Sequence, residues 1–205
     1  DENSTTHTTC DNYSSTYWPN KDPNIGGCRI RKIQALKSAA ASLFSSFNKI
    51  DPSNKLVRVG ADAYTHETYA QQAITWGTSA ASTYVNAIPD LPTGGTDSSG
   101  AMTNAYNALV STNTVEANAH SGMGNTSFKR FILLMTDGEM TGNSNSWNSS
   151  LDDATRKICT KAKNDGITIY TVAFMAPAKG KSLLSFCATD ASSYYEASNM
   201  ASLIG

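Results

Sequence analysis

Apolar residues along this chain follow two different periods. Ile30, Ile33, Leu36, Ala40, Leu43, Phe44 and Phe47 recur every three or four positions, with Lys37 on the same line. That is the stripe of a helix packed on one face. Asp51-Pro52 ends it, because the residue before a proline avoids helical geometry. Residues 56–64 (LVRVGADAY) alternate and predict a strand, followed by a short extended piece around Thr75 and Trp76. Helices are predicted over 79–88, 98–110, 151–163 and 181–187, with residues 89–95 as a break. The continuous apolar runs 131–135 (FILLM) and 167–174 (ITIYTVAF) predict buried strands, the first a central parallel strand covered on both faces. Residues 194–197 predict a last short strand. Strands separated by helices predict an α/β fold, a doubly wound, mainly parallel sheet flanked by helices on both faces. No internal repeat or linker divides the 205 residues, so a single domain over 1–205 is expected.

Composition narrows the partners. A net charge of -1 and 16% charged residues give no long-range field for phosphates or anionic lipid, which argues against nucleic acid and membrane surfaces. No apolar run reaches the roughly 20 residues that span a bilayer. Four cysteines form two local pairs, Cys10 with Cys28 and Cys159 with Cys187, without a C-x-x-C motif. Two disulfides and an oxidising, extracytoplasmic compartment are the expectation, and residues 1–28 become an ordered polar loop clipped by the first pair. Four reduced, buried thiols in a cytosolic protein are the alternative.

In an open α/β sheet, ligands sit outside the carboxyl ends of the strands. Two segments belong there: Thr93-Gly94-Gly95-Thr96-Asp97, which leads into a helix, and Thr136-Asp137-Gly138-Glu139, directly after FILLM. A threonine hydroxyl and an aspartate at that edge are hard oxygen donors of the kind Mg²⁺ or Mn²⁺ accepts. Asp137 as a turn residue, and Thr96 as a helix cap with Asp97 near the helix dipole, are the structural alternatives.

FKRFILLMTDGE, LPTGGTDSSGA and the helix RKIQALKSAAASLFSSF resemble the von Willebrand factor A (vWA) domain. The tail ICTKAKNDGITIYTVAF with LLSFCATDASSYYEASNMASL is similar, more narrowly, to TadG-type proteins of the tight-adherence pilus apparatus. The resemblance covers about residues 29–204. It implies a Rossmann-like vWA fold and a metal-ion-dependent adhesion site in which Thr96 and Asp137 are metal ligands. It also implies a disulfide between Cys159 and Cys187 that joins the last helices. Its functional implication is non-enzymatic protein binding in cell-surface adhesion or pilus assembly, through a Mg or Mn ion completed by an acidic residue of a protein ligand. The family's first strand, which ends in Asp-x-Ser-x-Ser, has no counterpart before the first helix; Asp1-Glu2-Asn3-Ser4-Thr5 imitates the spacing without an apolar strand. Metal binding by this chain alone is therefore expected to be weak or absent. Trp147 is a candidate partner contact or a loop anchor, and Glu139 a neighbour that shapes the charge of the site.

Other chemistries lack their residues. Gly180-Lys181-Ser182 is half of a phosphate-binding loop, but Met175 stands where its first glycine belongs and Pro177 removes an N–H donor. His7, His66 and His120 are scattered, and no G-x-S-x-G elbow mounts a serine. Two rivals to adhesion remain: a metal-free envelope scaffold, and a Mg²⁺-dependent phosphate hydrolase with Asp137 at its centre.

Overall fold

Helix α1 (Lys32–Ile50) opens the part of the chain that the computed structural model describes, residues 32–198. Asp51 ends it and then redirects the chain. Its buried carboxylate accepts the backbone N–H groups of Lys55 at 3.0 Å, Leu56 at 2.8 Å and Val57 at 2.9 Å. Those donors are thereby lost to any strand, which is why β1 begins at Arg58 and not at the expected 56; it ends at Ala61, short of the expected 64. It pairs antiparallel with β2 (Gln72–Trp76), which the sequence shows only as an extended piece. Gly60 lets the pair close, since a Cβ there would lie 2.8 Å from the Ile74 side chain.

After α2 (Ser79–Ala87) and α3 (Ser99–Leu109) comes α4 (Val115–Gly122), a helix without an apolar stripe. Its buried residues are Glu116 and His120. The Glu116 carboxylate takes Arg58 Nε at 2.7 Å and Nη2 at 3.2 Å, and His120 stacks on Phe128 with ring centres 4.5 Å apart. Polar groups thus fasten α4 to β1, so hydrophobic periodicity could not reveal it.

A second sheet is parallel, in the order β3 (Phe131–Thr136), β4 (Thr168–Phe174), β5 (Tyr194–Ala197). The helices α5 (Ser149–Asn164) and α6 (Ala178–Cys187) connect its strands. Asn148 starts α5 by accepting the N–H groups of Ser150 and Leu151. One face of the sheet, with Ile132, Leu134, Ile169 and Ala173, packs with Leu183 and Leu184 of α6 and Met102 of α3 into the main core. The opposite face is covered only toward its carboxyl end, where Ala35 of α1 meets Phe174 and Ala197. Phe131 is 50% and Leu133 54% exposed, so the expectation that FILLM is covered on both faces does not hold among these elements. A continuous apolar run cannot say which of its two faces finds a partner. Among the described residues no helix is long and apolar enough to cross a membrane.

Candidate functional site

The carboxyl edge of β3 is built from tight turns. Thr136 is buried, and its Oγ1 accepts the Gly138 N–H at 3.2 Å, which folds the chain back beneath Asp137. The Asp137 side chain stays half exposed at the edge, and its Oδ2 lies 3.0 Å from the Lys32 ammonium of α1. A Cβ on Gly138 would come within 2.7 Å of Thr96 Oγ1, so the threonine hydroxyl rests directly against the turn that carries Asp137. Any larger residue at 138 would push the two apart.

Thr96 is fixed by its backbone. Its carbonyl accepts both Thr141 N–H and Gly142 N–H at 2.9 Å, and its own N–H donates to Thr141 Oγ1 at 3.0 Å. Gly95 permits that approach, since a Cβ there would meet the Gly142 carbonyl and the Thr141 hydroxyl. Next in the chain, the Asp97 carboxylate accepts the Ser99 N–H at 2.9 Å and the Ser99 hydroxyl at 2.6 Å at the start of α3. Buried Ser98 donates its N–H to Met140 Sδ at 3.4 Å, and its hydroxyl pairs with Thr155 of α5 at 3.1 Å. Asp97, not Thr96, therefore bonds the first N–H group of α3. The Thr96 hydroxyl has no hydrogen-bond partner among the described residues.

Two residues that sequence patterns did not single out as part of the site frame it from the β1 side. The Tyr64 hydroxyl donates to the Met135 carbonyl at 2.7 Å, bridging the chain after β1 to the end of β3. Burial, with the Asp137 charge adding to it, raises the phenol pKa far above its ordinary value, so Tyr64 remains a donor. Asp62 accepts its neighbour Ala63 N–H and Asn104 Nδ2 of α3, each at 2.9 Å. Among the described residues β1 pairs only with β2, and β3 only with β4, so each keeps one edge unpaired. Met175, just beyond β4, has φ = 51°, a left-handed geometry that costs a side chain about 1 kcal/mol and marks a tightly constrained edge.

Remaining candidates fall elsewhere. Trp147 is 38% exposed; its indole N–H points to Asp152 Oδ2 at 3.5 Å and its ring carries the Lys179 ammonium at 4.2 Å. These contacts make it an anchored loop residue with one free side. Glu139 is half-buried and has no ion pair among the described residues. Cys159 and Cys187 form a disulfide that clamps α5 to the end of α6, whereas Cys10 and Cys28 lie outside the described residues. Gly180-Lys181-Ser182 sits inside α6, which begins at Ala178 and not at 181 as expected. A Cβ on Gly180 would collide with the Gly138 carbonyl, and Lys181 pairs with Glu196, so these residues pack a helix and do not form a phosphate-binding loop.

Thr96 and Asp137 fit a hard divalent ion in kind and fall short in number. Among the described residues no three His, Cys, Asp or Glu side chains gather as a metal cluster. The Lys32 ammonium already supplies a positive charge to Asp137.

No curated protein sequence is significantly similar to the chain. Solved structures share its fold at low identity. The pilus adhesin SpaC from Lactobacillus rhamnosus GG aligns with TM-score 0.61 and 12% identity over 84% of this chain and 26% of its own. The vWF domain of the type V pili tip protein Mfa5 from Porphyromonas gingivalis aligns with TM-score 0.59 and 18% identity over 82% of this chain and 85% of its own. Proximal thread matrix protein 1 from the mussel byssus gives 0.51 and 16%, over 84% of this chain and 39% of its own. The chain thus spans about a quarter of the length of SpaC. The sequence profile of the von Willebrand factor type A domain matches residues 26–204 and takes in both edge loops, the parallel sheet and its helices, so the chain belongs to that family.

Proposed function

We propose that this domain binds a protein partner at the carboxyl edge of its parallel sheet, without catalysis, in cell-surface attachment or pilus assembly of the TadG type. The observation that carries the reading is the unpartnered Thr96 hydroxyl, held by its backbone against the Gly138 turn beside the half-exposed Asp137. A structural role at the start of α3 would use the hydroxyl, and there Asp97 already takes the Ser99 N–H. The pilus adhesin and pilus tip domains that share the fold point the same way, and the Cys159–Cys187 disulfide suits an extracytoplasmic setting.

In this reading Thr96 and Asp137 hold a Mg²⁺ or Mn²⁺ ion together with donors from a strand laid along the unpaired edges of β1 and β3, and an acidic residue of the partner completes the coordination. The ion supplies a positive charge that a partner carboxylate can meet. Tyr64 keeps the ends of the two sheets in register, and Lys32 must release Asp137 for the ion to enter. A second reading, a metal-free scaffold, is favoured by that same Lys32–Asp137 ion pair, since the lysine can stand permanently in the cation's place.

Calorimetry with Mn²⁺ separates the two. A version of the protein with an N-terminal strand ending in Asp-x-Ser-x-Ser should bind Mn²⁺, and Asp137→Ala should lose at least about tenfold in affinity, worth roughly 1.4 kcal/mol. Thr96→Ala should lose less, because a neutral hydroxyl attracts a dication less than a carboxylate does. Unchanged affinity in Asp137→Ala, or no binding by the parent, leaves the scaffold.

A further inference from the structure

We propose a second binding surface, independent of the sheet edge: the groove between α5 and α6 takes a short acidic peptide segment that carries one aromatic side chain. The groove, of about 540 Å³, is lined on the α5 side by Asp153, Arg156, Lys157, Thr160 and Lys161, and on the α6 side by Phe186. It runs along the middle of α5 and meets the last turn of α6. Thr160 is about 16 Å along the helix axis from the start of α5 at Ser149, where the edge loops join it.

Three features separate this groove from an ordinary solvated face. Its walls are fixed relative to each other, because Cys159 and Cys187 join α5 to α6 directly beneath it. Phe186 is 42% exposed and in contact with two cations: the Arg156 guanidinium and the Lys163 ammonium each lie 4.9 Å from its ring centre. Arg156 is in turn set by Asp152 and by Ser182 Oγ at 3.2 Å, and Lys163 by the Phe186 carbonyl at 2.6 Å. The aromatic platform is therefore built and not merely left outside. Lys157 and Lys161, finally, are exposed one turn apart on the same face of α5 and have no acidic partner among the described residues. Asp153, four residues before Lys157 on the same helix, also lines the groove but closes no ion pair with either lysine.

The chemistry of the occupant follows. Two free ammonium groups ask for carboxylates about a helical turn apart, and the exposed ring with the aliphatic stems of Arg156 and Lys157 asks for an apolar group between them. A long polyanion is a poorer match, since the chain as a whole carries a net charge of -1 and offers it no field beyond the groove.

Fluorescence anisotropy at low salt with the labelled pentapeptides EEFEE and EEAEE tests the assignment. EEFEE should bind saturably and several-fold more tightly than EEAEE, with binding weakened as salt rises. Lys157→Glu with Lys161→Glu should reduce EEFEE affinity by at least about tenfold. Phe186→Ala should bring EEFEE down to the level of EEAEE, and Lys49→Glu, an exposed change at the end of α1, should leave binding intact. The milder pair Lys157→Gln with Lys161→Gln, checked by near-UV circular dichroism, guards against loss of fold. No saturable binding of EEFEE, equal affinity in all variants, or binding of heparin with neither peptide bound would overturn the proposal.

Discussion

The two faces of the parallel sheet are made from the same strands and do different work. On one face Ile132, Leu134 and Ile169 lie against Leu183 and Leu184, all at most 6% exposed. On the other, Phe131, Leu133 and Tyr195 are half exposed, and only the carboxyl end is covered, by Ala35. Alternate residues of a strand point to opposite faces, so a single hydrophobic run feeds both. Stability accordingly concentrates on the α3, α5 and α6 side. The edge that carries Thr96 and Asp137 sits at the margin between the closed region and the open one, where packed helices meet strand edges unpaired among the described residues.

The contrast can be broken from the closed side first. Leu184→Ala, at 0% exposure, should cost about 3–5 kcal/mol in chemical denaturation through a cavity the fixed helices cannot close. Replacing both Cys159 and Cys187 by serine should cost about 3 kcal/mol, since the bridge closes a 28-residue separation. On the open face, Leu133→Ala should cost less than about 1 kcal/mol, because half its surface already meets water. If Leu133 proved as costly as Leu184, the open face would have a cover in solution.

A smaller effect probes the β1 side through pH. His120 is held below its ordinary pKa of 6.5, first by burial and then by the Arg58 charge, with Glu116 opposing. A depressed histidine leaves the unfolded chain to take up the proton first, so its contribution is full above pH 6.5 and lost as pH falls below that value through the folded pKa. Denaturation midpoints should therefore drop between pH 7.5 and pH 5. His120→Phe, between Trp76 and Phe128, should reduce that drop; an unchanged pH profile would remove His120 as its cause.

What was legible in the sequence follows the same division. Strands β3, β4 and β5 and helices α1, α2, α3, α5 and α6 announce themselves because their apolar residues run together or repeat at helical spacing. Helix α4 does not, because Glu116 and His120 are its buried residues. The start of β1 was misplaced because Asp51 claims the N–H groups of Leu56 and Val57, a contact no local pattern encodes. At the candidate site the GGT and TDG loops lie against each other: a Cβ at 95 would meet the Gly142 carbonyl, and one at 138 would press on the Thr96 hydroxyl. That Asp97 and not Thr96 bonds the start of α3 is a local contact two residues long, whereas the bridge from Tyr64 to Met135 joins residues 71 apart and lies beyond the reach of motif spacing.

The central claim, a cation seat shared by Thr96 and Asp137, is tested most directly by paramagnetic broadening of backbone amide NMR signals by Mn²⁺ in the strand-supplied protein. The account predicts broadening centred on residues 95–97 and 137–139, abolished in Asp137→Ala, with Lys161 and the α5–α6 groove untouched. Broadening centred elsewhere, or unchanged by Asp137→Ala, would contradict it.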